Sequence, residues 1–148
     1  MKRTRLFSFL VVLGAFASSA WAEETYRCIK RTHRTIMSAA LAMERGHTTK
    51  GIDELRRAVV RNAAARIALH KKQDKTAMFL TLEARRIARE LLATYGETNN
   101  KGFEADPGES DAAAGGEGKD ADAAVAEAEK KVPSVDELKK QIPNVDEE

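Results

Sequence analysis

The strongest pattern in the chain is a pair of apolar stripes between Thr49 and Gly96. In the second, Ala77, Leu80, Ala84, Ile87, Ala88, Leu91 and Tyr95 recur at steps of three and four, the spacing of one face of an amphipathic helix. In the first, Ile52, Leu55, Val59, Ala63, Ile67 and His70 do the same. A third stripe runs earlier, through Tyr26, Ile29, His33, Ile36, Ala40 and Met43, and predicts a helix from Thr25 to Arg45 with Thr25 as its N-cap. Gly46 is placed to end that helix, and Thr48-Thr49 to cap the next, whose first turn holds Asp53 and Glu54 where the helix dipole favours acid.

The break between the second and third helices is weakly marked. Lys71 to Thr76 is polar, and Asp74 could cap a new helix, but neither Gly nor Pro enforces a turn. One continuous helix from Ile52 to Tyr95, roughly 65 Å long at 1.5 Å per residue, is the alternative and would give a helical hairpin. Two helices are favoured because no apolar seam crosses residues 71–76. With short connections the expected fold is all-α, a small three-helix up-down-up bundle over about residues 23–99.

After Gly96 the pattern stops. Residues 100–148 are rich in Ala, Gly and acid and poor in large apolar side chains, a composition that predicts disorder, with at most a transient helix across Ala121 to Lys131. Within it a unit is repeated: VPSVDEL from Val132 to Leu138 and IPNVDEE from Ile142 to Glu148. Its shared positions are Pro133, Val135, Asp136 and Glu137 in the first copy and Pro143, Val145, Asp146 and Glu147 in the second. Ser134 and Glu137 have capping-box spacing, and Val135, Leu138 and Ile142 would share one side of the short helix that follows. Two copies of a linear motif would raise apparent affinity for a partner offering two sites.

Charge divides the chain at the same place. From Glu23 to Lys101 there are 17 Lys+Arg against 9 Asp+Glu, a formal +8; from Gly102 to Glu148 there are 5 against 14, a formal −9. A basic body is joined to an acidic tail. Arg56, Arg57, Arg61 and Arg66 on the second helix, with Arg85, Arg86 and Arg89 on the third, are the candidate anion- or partner-binding face.

The first 22 residues read as a secretory signal peptide: Lys2, Arg3 and Arg5, then a mostly apolar run from Leu6 to Ala17, then Ala20-Trp21-Ala22 as a cleavage site. The mature chain is expected to begin near Glu23 and to be periplasmic or secreted. Export disfavours nucleic acid as the partner of the arginines and favours an acidic envelope protein or an anionic envelope surface, with peripheral membrane contact. In an oxidising compartment the single cysteine, Cys28, has no intrachain mate. It reads as a buried small hydrophobe, and an intermolecular disulfide making a homodimer is the sharper alternative.

Chemistry is sparse. His33, His47 and His70 form no pair at helical ligand spacing, there is no haem-attachment motif and no phosphate loop, and the acids of the body fall at helix ends or beside arginines. No catalytic residue, metal site or cofactor is expected. The sequence points to a non-catalytic binding or scaffold protein of the bacterial cell envelope; a periplasmic chaperone-like or stress protein, and a metal or small-ligand carrier using the histidines, are the alternatives.

Overall fold

The computed structural model describes residues 20–96 and 104–141. Three long helices, α1 (Ala20–Arg45), α2 (Ile52–His70) and α3 (Asp74–Tyr95), pack on one another as the three-helix bundle. The expected signal peptide lies outside the described residues up to position 19, and its cleavage site, Ala20-Trp21-Ala22, forms the first turn of α1. Helix α1 therefore starts five residues earlier than the Thr25 boundary read from the sequence. There the Thr25 hydroxyl donates back to the Trp21 carbonyl instead of capping.

Both connections of the bundle close the same way. After α1, the Thr48 N–H reaches the Met43 carbonyl and the His47 N–H the Glu44 carbonyl; after α2, Gln73 bonds to Ala68 and Lys72 to Leu69. These are Schellman closures, whose turning residue needs a left-handed backbone. His47 (φ 47°) and Lys72 (φ 60°) occupy it, not glycine. Gly46 is one residue too early for that role, and the α2–α3 break is real although no Gly or Pro marks it.

The N-cap of α2 is Gly51, not Thr48 or Thr49. Its φ of 86° suits glycine, and an added Cβ would lie 2.8 Å from Leu91 Cδ2. The start of α2 can thus press directly onto the end of α3.

The core has two main parts. One joins Ile36, Met43, Ile52, Leu55, Ile87 and Leu91; the other joins Ile29, Val60 and Leu80 to a set of alanines on α2 and α3. Leu55 and Leu80 are almost fully buried, and each contributes roughly 1.5–3 kcal/mol by leaving water.

The segment expected to be disordered carries three more helices over its described part: α4 (Pro107–Ala113), α5 (Lys119–Glu129) and α6 (Val135–Lys139). The physical reason is alanine. Ala121, Ala124 and Ala128 form a stripe at helical spacing on α5 and are buried against the alanine-rich side of α2, where Ala64, Ala65 and Ala68 let the backbones approach closely. Gly116, between α4 and α5, lies so close to α3 that an added Cβ would collide with the Lys75 carbonyl and Phe79 Cβ. Leu138 of α6 and the partly buried Val135 join the core beside Leu55 and Ile52. A composition argument weighs large apolar side chains and misses small ones that pack by fitting closely.

Candidate functional site

Helix α3 turns one arginine inward. Arg85 lies four residues after Thr81 and three before Ala88, on the side of α3 that faces α1, and is 1% exposed. Its guanidinium makes five hydrogen bonds. Nε donates to Thr32 Oγ1 (3.1 Å), and Nη2 to the Cys28 carbonyl (3.2 Å) and Cys28 Sγ (2.9 Å). Nη1 and Nη2 grip Glu109 Oε2 (2.7 Å) and Oε1 (3.3 Å), a bidentate fork on a carboxylate.

Behind the fork a polar thread crosses the bundle. The Thr32 hydroxyl donates to the Thr81 carbonyl (3.2 Å), the Thr81 hydroxyl to Asn62 Oδ1 (2.8 Å), and Asn62 Nδ2 to the Ile29 carbonyl (3.4 Å). All three side chains are buried, so each polar group has its partner inside the protein. In front of the fork, Glu109 also accepts the Asp106 N–H (3.0 Å) at the start of α4, where Pro107 opens the helix. Arg31 closes the outer side, 3.6 Å from Glu109 Oε1 and 3.0 Å from Asp106 Oδ2, and donates to the Glu104 carbonyl.

Burial pushes the Glu109 carboxyl upward, but the Arg85 fork and the Asp106 N–H outweigh it and hold the group below its ordinary value. Burial also pushes the Cys28 thiol up to about 12, against the pull of the Arg85 charge, so the sulfur stays neutral. Buried at 3% exposure and unbridged, it is out of reach of another chain while α4 is in place.

The seven candidate arginines do not form one open face. Arg56 donates to the Pro133 carbonyl (2.8 Å) and pairs with Glu129 (2.6 Å). Arg61 pairs with Glu83 across α2 and α3 (2.9 Å), and Arg86 with Glu90 along α3 (2.7 Å). Arg66 is partly buried beside His33, and Arg57 is exposed. Arg89 pairs with Glu104 (3.1 Å). Lys71 reaches Glu127 (2.9 Å), whose carboxyl is drawn down to about 2 by its bonds to Lys131 and Lys71. Six ion pairs thus join the acidic segment to the bundle among the described residues: Arg31 to Asp106 and Glu109, Arg56 to Glu129, Lys71 to Glu127, Arg85 to Glu109, and Arg89 to Glu104.

The first copy of the repeated unit takes part in the same docking. Ser134 and Glu137 form the capping box (Ser134 N–H to Glu137, 2.8 Å; Glu137 N–H to Ser134 Oγ, 3.3 Å), Pro133 gives its carbonyl to Arg56, and Asp136 points to solvent. In the second copy, Pro143, Val145, Asp146 and Glu147 lie outside the described residues.

Thr32, Asn62, Thr81 and Glu109 were not legible as site residues. The available signal was a charge at Arg85 beside an otherwise apolar stripe and one Asp-Pro-Gly-Glu helix start in an acidic stretch. Adjoining the fork, a shallow groove of about 380 Å³ runs between α3 and α4, lined by Phe79, Leu82, Arg85, Arg86, Arg89 and Ala113 among others. Nδ1 of His33 is buried without a hydrogen-bond partner, and burial, reinforced by the Arg66 charge, lowers its basicity. No group of three or more His, Cys, Asp and Glu among the described residues is arranged to hold a metal ion, and no described helix is long and apolar enough to cross a membrane. Comparison with known protein families, with curated proteins and with solved structures found no match to this chain.

Proposed function

We propose that the chain is an exported, non-catalytic binding or scaffold protein of the bacterial cell envelope, whose acidic C-terminal segment regulates access to a basic helical bundle. One observation carries the reading: five cations of the bundle, Arg31, Arg56, Lys71, Arg85 and Arg89, are engaged by carboxylates of the acidic segment through six ion pairs. Exposed pairs of this kind are weak in water and screened by salt beyond a Debye length of about 8 Å. An external polyanion that brings several charges at once competes with them, while the tether keeps the internal ligand at high effective concentration. The partner class is an acidic protein or anionic surface of the envelope.

The test is a full-length variant with Glu104, Glu127 and Glu129 changed to Gln and Asp106 to Asn, leaving Glu109 untouched. Binding to vesicles rich in phosphatidylglycerol and to polyglutamate is measured at low and high salt. Freeing Arg56, Lys71 and Arg89 is expected to tighten binding by about tenfold or more at low salt, with the gain shrinking as salt rises. A variant that binds neither probe better than the wild type removes this reading.

A further inference from the structure

Arg85 stands apart from the other engaged cations because its site is built and buried. Its guanidinium is fixed from behind by Thr32 Oγ1 and by the carbonyl and sulfur of Cys28, and those three contacts are acceptors. They leave one planar edge of the fork for one planar anion. In the structure that anion arrives from α4, a helix of seven residues of which only Glu109 and Ala113 are buried. Helices this short do not hold themselves together in water. The position of α4 therefore rests on the carboxylate, on the Arg31–Asp106 pair at its start, on the close fit of Gly116 against Lys75 and Phe79 after its end, and on the small contact of Ala112 and Ala113 with Cys28, Met78, Phe79 and Leu82. If α4 lifts away, Arg85 keeps its charge and loses its counter-ion, which creates a strong demand for another carboxylate in the same place.

We propose that this pocket is a receptor for a glutamate at the third position of a partner protein's helix, and that α4 is the built-in occupant that such a partner displaces. The proposal rests on the reading above and narrows it to one site and one ligand chemistry. Recognition has three parts: a carboxylate gripped by both Nη atoms of Arg85; a helix-start N–H returned to that carboxylate, as Asp106 does now at 3.0 Å; and a small residue four positions later, like Ala113, against Met78 and Phe79. Arg31 beside the pocket favours a second acid at the helix start, as with Asp106. A bidentate fork backed by acceptors suits a planar carboxylate.

The experiment uses the full chain in two variants. Glu109→Ala empties the fork, and Gly116→Val undocks the segment by collision with Lys75 and Phe79 without touching Arg85 or Glu109. A fluorescent peptide of residues 104–118 is titrated onto each, and the melting temperature of Glu109→Ala is followed in acetate against chloride at equal ionic strength. Both variants are expected to bind the peptide roughly tenfold or more tightly than the wild type, a Glu-to-Gln peptide is expected to lose that gain, and acetate is expected to raise the melting temperature of Glu109→Ala but not of Arg85→Met/Glu109→Ala. If neither variant gains affinity, or the Gln peptide binds equally well, the receptor proposal is overturned. Salt-dependent binding of vesicles by the bundle of the charge-neutralised variant would survive that result, so the two readings fail separately.

Discussion

Arg85 and Glu109 are 24 residues apart in the chain and 2.7 Å apart in space, and among the described residues they form the one ion pair between the acidic segment and the bundle in which both side chains are buried. A buried pair of this kind is asymmetric in its energetics: forming it recovers little beyond the cost of desolvating both ions, but removing one partner leaves the other charged and stranded. Glu109→Ala is expected to lower unfolding free energy by about 3–5 kcal/mol. Arg85→Met/Glu109→Ala is expected to recover a large part of that loss, because no buried charge remains. A double-mutant cycle by urea unfolding measures the coupling.

Stability is expected to fall with acid in two stages. His33 has a lowered folded-state pKa because burial, and then the Arg66 charge, disfavour its cation. The unfolded chain therefore binds more protons, and stability is lost as pH drops through the ordinary value of 6.5 towards the lower folded one. Glu109 is also depressed, so its contribution is complete above the ordinary 4.5 and disappears as pH falls through its lower folded value. Unfolding free energy measured against pH should lose the upper stage in His33→Phe and show a smaller lower one in Glu109→Gln, where Glu127 and Glu137, also held below their ordinary value, keep their share.

Lys72 is expected to be replaceable with profit. Its φ of 60° places a side chain in the left-handed region, which costs a non-glycine residue about 1–2 kcal/mol, partly offset by the greater entropy glycine loses on folding. Lys72→Gly should raise the melting temperature by a few degrees, and Lys72→Val should lower it, the check being thermal unfolding of both.

The same residue explains what was legible. The three stripes identified α1, α2 and α3 because each is set by large side chains at regular spacing, Ile29, Leu55 and Leu80 among them. The turn at Lys72 had no glycine to mark it, and its closure is backbone hydrogen bonding that any residue can supply. Helix α5 was read at most as transient because Ala121, Ala124 and Ala128 carry little apolar area each, and their burial depends on a surface of α2 that exists only after folding. The charge division was legible and so was the capping box at Ser134 and Glu137. The pairing of Arg85 with Glu109 was not, since seven arginines on α2 and α3 offered equal claims and only the packing of α1 against α3 decides which one is buried.

If the signal-peptide reading holds, the first turn of α1 is discarded. Cleavage after Ala22 would remove Trp21, which is 66% exposed and packs little, and would release the Thr25 hydroxyl from the Trp21 carbonyl so that it can cap a shorter α1. Protein isolated from the envelope should have the intact mass of a chain beginning at Glu23, and its melting temperature should match that of the same chain carrying Ala20 to Ala22. Retention of Met1 in the isolated protein would show that export does not proceed by this cleavage.

Cys28 reports on α4. Its sulfur accepts from Arg85 Nη2 at 2.9 Å, and the same guanidinium holds Glu109. With the thiol pushed up to about 12 and covered by Ala113 and Met78, it is neither ionised nor accessible at neutral pH, and the thiolate is the reactive form. Alkylation of the native chain should therefore be much slower than that of a free thiol, and non-reducing gels should show monomer. Lifting α4 removes the cover and the nearby carboxylate while leaving the Arg85 charge beside the sulfur, and each of these changes favours the thiolate. Glu109→Ala and Gly116→Val should both alkylate faster at the same pH, and a displacing peptide of residues 104–118 should slow them again by refilling the pocket. Equal rates in wild type and both variants would mean that α4 does not control access to this thiol, and a predominant disulfide dimer in the native chain would mean that the α4 cover opens on its own.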